Sequence, residues 1–139
     1  MPVGDPAEIA APAASALSNA QRADVRAIVS KAREISGYGF AVYLGPLENG
    51  RDSAVEQHAA LQSPESAVLV AVDPARRMIE IVTGAAVAVN LSNRSCELAV
   101  LSMKSCFQAD DIVGGVREGV TLLAEHSRHP RVMHLNEPA

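Results

Sequence analysis

The segment Ala67-Val-Leu-Val-Ala-Val-Asp73, followed after a short turn by Met78-Ile-Glu-Ile-Val-Thr83, decides the fold of this chain. Residues 67–72 form a continuous apolar run, which is typical of a strand buried on both faces. In the second segment the side chains alternate, with Glu80 on the opposite face from Ile79 and Ile81, which indicates a strand with one wetter face. Pro74 in the connection predicts a turn. The hairpin, flanked by helical patterns, predicts an α/β protein.

Length and composition exclude several classes of protein. A chain of 139 residues has the length of one domain, and its core must come from Ala, Val, Leu and Ile, because only 3% of the residues are aromatic. With no Trp and a net charge of −4, it lacks the stacking rings and basic groove of a nucleic-acid-binding protein. No apolar run approaches the roughly 18 residues of a membrane span. Because no secretory signal pattern is visible, we expect a cytoplasmic protein.

The two cysteines, Cys96 and Cys106, lie ten residues apart in one predicted helix. Ten helical residues rise about 15 Å, which exceeds the roughly 7 Å between Cα atoms that a disulfide allows. The sequence therefore predicts two reduced cysteines that pack in the protein. A redox or metal pair is the alternative, but the spacing is not C-x-x-C.

Helix and strand signals follow one another along the chain. Ser18-Asn-Ala-Gln21 matches a capping box and predicts a helix to about Ser36, which Gly37 ends. The other predicted elements are a strand at 38–44, a helix from Asp52 or Ser53 to about Leu61, a helix from Ser92 or Asn93 to about Phe107, and a helix from Asp111 to about His126. Residues 85–90 fit either a strand or the approach to a helix.

The predicted order of elements is α-β-α-β-β-α-α. The first two strands are joined through a helix, so we expect them to be parallel, and the hairpin adds an antiparallel strand. These elements predict a three-layer α/β/α sandwich with a small mixed sheet. The domain spans residues 17–126, after a flexible leader rich in Ala and Pro at 1–16 and before a flexible tail at 127–139.

Two aspartates are candidate metal ligands. Asp73 ends the second predicted strand, and open α/β sheets bind ligands at the carboxyl ends of their strands. Turn chemistry before Pro74 is the alternative explanation of Asp73. Asp110 and Asp111 precede the last helix, where one of them is either an N-cap or a cation ligand, and Asp111 is the candidate ligand. Calcium needs several oxygen ligands, and the chain has no D-x-D-x-D-G loop to supply them.

Other residue types allow two interpretations each. Arg76 and Arg77 either hold an anion or are solvated in the turn. The glycines of the last helix indicate either close helix packing or the approach of a ligand; they are Gly114, Gly115 and Gly119. We expect His58 at the boundary of the core, and we expect no metal site at His126, His129 and His134.

With its elements in this order, the chain resembles the TPM-domain family, also called TPM phosphatases, over residues 17–126. Ala16-Leu17-Ser18 resembles the opening L-L-S of that family. The most specific match is Phe107-Gln-Ala-Asp-Asp111-Ile-Val-Gly-Gly115-Val116, which resembles the motif F-x-x-G-D-Y-x-x-G-L. The chain is also similar to a soluble actinobacterial branch of the family that carries no assigned function.

The resemblance implies a divalent-metal-dependent acid phosphatase that hydrolyses phosphomonoesters. In that case Asp73 and Asp111 would bind Ca²⁺ or Mg²⁺, and Glu65 would add a further carboxylate. Three acidic positions of the family pattern have lost their charge here. Residues 11–15 contain no carboxylate, residues 62–66 contain neither Lys nor Asp, and the family's L-P-D is Leu91-Ser92-Asn93.

These departures determine the predicted function, because a metal-assisted phosphatase needs several converging ligands. The leading hypothesis is a TPM-like binding or accessory protein that is non-enzymatic or catalytically degenerate, with a protein partner or self-association and with Ca²⁺ or Mg²⁺ as the candidate cofactor. The metal-dependent acid phosphatase is the alternative. A self-associating structural module is a third hypothesis.

Overall fold

The computed structural model describes residues 9–10 and 17–128. Its strands are β1 (Ile9–Ala10), β2 (Gly39–Leu44), β3 (Ala67–Asp73) and β4 (Met78–Thr83). Its helices are α1 (Asn19–Ser36), α2 (Arg51–Ala59), α3 (Ala85–Ala88), α4 (Asn93–Gln108) and α5 (Ile112–Ser127), with a 3₁₀ turn at Pro64–Ser66. The predicted α/β class and the order of the main elements are confirmed.

The sheet has the strand order β1-β2-β3-β4. β2 pairs in parallel with β3, with Leu44 opposite Val72. β3 pairs antiparallel with β4, with Val70 opposite Ile81. The predicted parallel pair and hairpin are therefore both present. Every residue of β3 is buried, which explains the continuous apolar run.

Helices cover both faces of the sheet and form the predicted three layers. On one face, α1, α4 and α5 enclose the larger core, whose fully buried side chains include Val25, Val29, Phe40, Val70, Met103 and Leu123. On the other face, α2 and the loop before it enclose a smaller core that includes Tyr43, Leu47, Ala54 and Leu69. Among the described helices, none is long and apolar enough to cross a membrane.

Two short elements go beyond the sequence prediction. Ile9–Ala10, for which the sequence predicted no strand, pairs in parallel with β2 beside Val42 and Tyr43. The ambiguous stretch at 85–90 begins with the four-residue helix α3. The rest of the predicted leader, at 1–8 and 11–16, and the predicted tail at 129–139 lie outside the described residues.

Most helix ends follow the predicted capping signals. Ser18 Oγ accepts from Gln21 N–H at 3.1 Å, and Gln21 Oε1 accepts from Ser18 N–H at 2.9 Å, which completes the capping box of α1. Gly37 ends that helix with a φ of 83°. Ser92 caps α4, and Asp111 caps α5.

The start of α2 differs from the prediction that Asp52 or Ser53 caps it. The N-cap is Gly50, so no side chain caps the start of this helix. Ser53 lies inside the helix, and its Oγ accepts from Asn49 N–H at 2.8 Å. Ser53 therefore satisfies the main-chain N–H of Asn49, just before the helix begins.

Candidate functional site

A cleft of about 490 Å³ opens where β3 ends, between the hairpin turn and the C-terminal end of α4. Its charged lining residues are Asp73, Arg77, Lys104 and Asp110. Its apolar lining residues are Met78, Ile79, Phe107 and Ile112, with Val72 and Pro74 beside them. We call this site the strand-end cleft. It lies at the carboxyl end of a strand, where open α/β sheets bind ligands, and small-molecule sites span roughly 300–1,000 Å³.

Asp73 is only 2% exposed and joins two loops beside the cleft. Its Oδ2 accepts from Leu47 N–H at 2.8 Å and from Arg76 Nη1 at 2.9 Å, and its Oδ1 accepts from Arg76 N–H at 3.1 Å. Burial acts to raise the pKa of Asp73, but these hydrogen bonds and the charge of Arg76 hold that pKa below its ordinary value. The carboxylate is therefore a stable anion between β3 and the loop after β2.

The backbone is strained on both sides of the cleft. Among the described residues, Arg77 and Asp110 are the two non-glycine positions with positive φ, at 56° and 61°. Both line the strand-end cleft. Because strained backbone concentrates at functional sites, this coincidence supports the cleft as the candidate site.

Asp110 and Asp111 have different roles at the junction of α4 and α5. Asp111 N–H donates to Cys106 O at 3.0 Å, and Asp110 N–H donates to Phe107 O at 2.9 Å. These bonds form a Schellman motif, in which Asp110 takes the left-handed position usually filled by glycine. Asp111 Oδ1 accepts from Gly114 N–H at 2.9 Å and so caps α5. Asp110 thus lines the cleft, whereas the predicted ligand Asp111 accepts a hydrogen bond from a main-chain N–H in the first turn of α5.

Metal binding by Asp73 and Asp111 stays a prediction. Within residues 9–10 and 17–128, no group of three or more His, Cys, Asp or Glu side chains could hold a metal ion. Glu65 is exposed in the 3₁₀ turn that precedes β3, while Asp73 ends that strand. A seven-residue strand separates their positions by about 20 Å. The described carboxylates therefore do not form the several-ligand site that a divalent cation needs.

The described histidines join structural elements. His58 is 8% exposed, and its Nε2 lies 3.0 Å from Ala67 O, so it connects α2 to the start of β3. His126 Nδ1 lies 2.8 Å from Ser95 Oγ and connects the end of α5 to the first turn of α4. His129 and His134 lie outside the described residues.

The remaining sequence candidates have packing roles. Gly115 lies against the ring of Phe107 and Gly119 lies against Met103, so a Cβ at either position would collide with α4. Close helix packing therefore explains these glycines. Cys96 and Cys106 are both free and half-buried, and the prediction of unbridged cysteines is confirmed. Burial raises the pKa of the Cys96 thiol, which makes it a poor nucleophile.

The sequence analysis named neither Lys104 nor Phe107 as a site candidate, whereas Asp110 was one of its two candidate aspartates before the last helix. Phe107 carried a usable signal, because it occupies the first position of the F-x-x-G-D motif. Lys104 carried no such signal in the sequence, because it lines the cleft only through the packing of α4 beside β4.

The fold and the cleft define an α/β/α sandwich domain with a candidate ligand site at its strand ends. The chain belongs to the family described as Domain of unknown function (DUF5130), whose model matches residues 7–124. It is 34% identical over 88 residues to the uncharacterized protein Rv2468c of Mycobacterium tuberculosis strain H37Rv, and equally to the uncharacterized protein MT2543 of strain CDC 1551. These matches cover 61% of this chain and 52% of each relative, so the chain spans about half the length of the curated relatives it matches.

A solved structure has the same fold. It is the solution NMR structure of the N-terminal domain of a protein from P. gingivalis, with a TM-score of 0.61. The match covers 81% of this chain and 82% of that domain at 20% sequence identity. At this identity the likeness concerns the fold alone.

Proposed function

We propose that the protein is a TPM-like binding or accessory domain whose strand-end cleft takes up a small ligand without transforming it. The observation that carries this proposal is the state of Asp73. Its carboxylate already accepts three hydrogen bonds, from Leu47 and Arg76, out of about four that two oxygens can accept. A metal ligand or a general base needs an oxygen that faces the substrate, and Asp73 is committed elsewhere.

The lining of the cleft indicates which ligands it suits. Arg77 and Lys104 supply positive charge at the rim, and both are exposed. Phe107 and Ile112 supply apolar surface. This combination favours a small molecule with one anionic group and one apolar part.

The alternative is a divalent-metal-dependent acid phosphatase. Its support is that Asp73 and Asp110 line one cleft together with two cationic side chains. A Ca²⁺ or Mg²⁺ ion at Asp73 would, however, share a carboxylate that already accepts from Leu47 N–H and Arg76, and Asp111 already uses its Oδ1 to cap α5.

Hydrolysis of p-nitrophenyl phosphate in the presence of Ca²⁺, Mg²⁺ or Mn²⁺ separates the two functions. We expect no metal-dependent turnover above the buffer rate for the full chain, for Asp73→Ala or for Asp111→Ala. Turnover by the full chain that both substitutions abolish, in variants with an unchanged circular dichroism spectrum, would establish the phosphatase and overturn our proposal.

Binding to the cleft is tested with the same compound, which carries an anionic group and an aromatic ring. We expect saturable NMR shift changes at the amides of Arg77, Lys104 and Asp110 in ¹⁵N-labelled protein. Lys104→Ala should weaken binding about threefold, as for one exposed ion pair. Lys31→Ala, an exposed lysine on α1, is the matched control and should change nothing. If Lys104→Ala and Lys31→Ala bind the compound with equal affinity, the strand-end cleft is not its binding site.

A further inference from the structure

The outward side of α4 carries two exposed leucines. Among the described residues, four large apolar side chains are exposed, and the two leucines of this group, Leu98 and Leu101, both belong to α4. Leu98 is 40% exposed and Leu101 is 61% exposed. Residues three positions apart are neighbours on a helix surface, so the two side chains form one apolar strip. We call the exposed residues of this side the α4 face; they are Arg94, Glu97, Leu98, Leu101, Lys104 and Ser105.

The apolar surface continues from Leu101 into the space between α4 and β4. A groove of about 470 Å³ lies there, and Leu101 lines it together with Val100 of α4 and with Ile79 and Ile81 of β4. A second element laid on the α4 face would therefore bury the leucines and close one side of this groove. Contiguous exposed apolar surface rimmed by polar residues marks sites of interaction.

Glu97 and Lys104 flank the leucines on the side of α4 that faces β4. Glu97 lines the groove beside Ile79, and Lys104 lines the strand-end cleft beside the same strand residue. The two residues are seven positions apart, which is about two helical turns or roughly 10 Å along the axis. Neither side chain forms an ion pair with another residue of the described chain. The α4 face thus presents one negative and one positive charge on the same flank.

This pattern of charges is self-complementary when two copies of α4 pack antiparallel about a two-fold axis. If Leu98 of each copy lies at the level of Leu101 of the other, Glu97 is only about 3 Å along the axis from Lys104 of the second copy. The two-fold symmetry forms the same pair twice. A parallel arrangement would instead place identical charges at the same level. The antiparallel register therefore buries the leucines and pairs the charges together.

We propose that the α4 face binds a second copy of this chain, with the two α4 helices antiparallel and with Glu97 of each copy paired with Lys104 of the other. The occupant is a second copy because the face complements itself in both apolar character and charge. An interface centred on one helix of 16 residues, about 24 Å long, is small, and small interfaces form weak, transient complexes. We expect a monomer–dimer equilibrium that weakens at high salt.

Sedimentation of the full chain across a concentration series tests the proposal. It is measured without ligand, because Lys104 also lines the strand-end cleft. We expect the wild-type mass to rise from monomer to dimer. Leu101→Lys should weaken the dimer about tenfold or more, because it places a charge at the centre of the interface. Val55→Lys, at an exposed apolar position of α2 on the other face of the sheet, is the matched control and should leave the dimer unchanged.

Charge reversal tests the pairing of the helices. Glu97→Lys and Lys104→Glu should each weaken self-association about tenfold, because each variant places like charges at both symmetric pairs. An equal mixture of the two variants should form dimers with one copy of each, because both pairs then join opposite charges. The circular dichroism spectrum of each variant should match that of the wild type, since both positions are exposed.

Two outcomes would overturn the proposal. A constant monomer mass of the wild-type chain at every concentration would mean that the α4 face does not bind a second copy and belongs to a different partner. A wild-type dimer that Leu101→Lys leaves intact, or a mixture of the charge variants that stays monomeric, would mean that the copies do not associate through antiparallel α4 helices.

Discussion

At the scale of single residues, Asp73 joins two loops beside the strand-end cleft. Its carboxylate joins the turn after β3, through Arg76, to the loop after β2, through Leu47 N–H. Because the group is buried and charged, removing its partners would leave an unsatisfied anion in the protein interior. Its contribution to stability therefore depends on its ionisation.

Asp73→Asn should lower the free energy of unfolding at pH 7 by about 1–3 kcal/mol, because hydrogen bonds to a charged acceptor are replaced by neutral ones. The folded pKa of Asp73 lies below its ordinary value of 3.8, so the charged form contributes its stability above that value. The contribution is lost as the pH falls through the folded pKa.

Urea denaturation from pH 7 to pH 2 measures this dependence. The difference in unfolding free energy between wild type and Asp73→Asn should be constant above about pH 5 and decrease below about pH 4. Glu125→Gln, which breaks the exposed pair with Arg128, is the control and should stay within about 0.5 kcal/mol of wild type. A difference that grew on acidification would contradict the assigned pKa direction.

Replacing Asp110 by glycine should raise the free energy of unfolding of the protein. Asp110→Gly relieves roughly 1–2 kcal/mol of left-handed strain, against an entropic penalty of roughly 0.4–1 kcal/mol for glycine in the unfolded chain. We expect a net stabilisation of about 0.5–1 kcal/mol in urea denaturation. Ala109→Gly, at a φ of −94°, gains no such relief and should destabilise the protein. Equal stabilisation by both substitutions would show that the gain does not come from relief of left-handed strain at Asp110.

At the scale of elements, the contact between α4 and α5 depends on small residues. Gly115 and Gly119 lie one turn apart on α5 and accept Phe107 and Met103 of α4. The larger side chains of α4 therefore approach the backbone of α5 directly. This packing sets the position of Phe107 in the strand-end cleft.

Gly115→Ala should destabilise the protein by about 1–3 kcal/mol, because the new Cβ collides with the ring of Phe107. Alanine's better helix propensity, worth about 1 kcal/mol, opposes this loss. Phe107→Leu should restore part of the stability in the Gly115→Ala background and lower it in the wild-type background. A double-mutant cycle in urea measures this coupling. Additive effects of the two substitutions would show that the ring does not limit position 115.

The sequence predicted the features that depend on neighbours along the chain. The hairpin at 67–83, the capping box at Ser18 and the cap at Asp111 belong to this group. Asp73 was identified as a site candidate from its place at the carboxyl end of a predicted strand. Its bond to Leu47 N–H was not predicted, because that group comes from 26 residues earlier in the chain. Ile9–Ala10 was missed because two residues are too few to show alternation. Such features depend on tertiary contacts that no local pattern records.

At the scale of the whole molecule, one core connects α1, α4 and α5 with all three main strands. Leu123→Ala, at a fully buried position of α5, should lower the free energy of unfolding by about 2–5 kcal/mol. Val55→Ala, at a position of α2 that is 43% exposed, is the control and should change it by less than about 0.5 kcal/mol. Urea denaturation followed by circular dichroism checks both. Comparable losses at the two positions would contradict the assignment of the core.

The packing of α1 against α5 has a consequence for synthesis on the ribosome. Val25 and Val29 of α1 share a core with Val116 and Leu123 of α5, which is made about 75 residues after α1 ends. At roughly 5–20 residues per second, that interval lasts about 4–15 seconds. During this time the nascent chain carries an apolar helix face without its partner, so the domain completes its core only when the last helix has been translated.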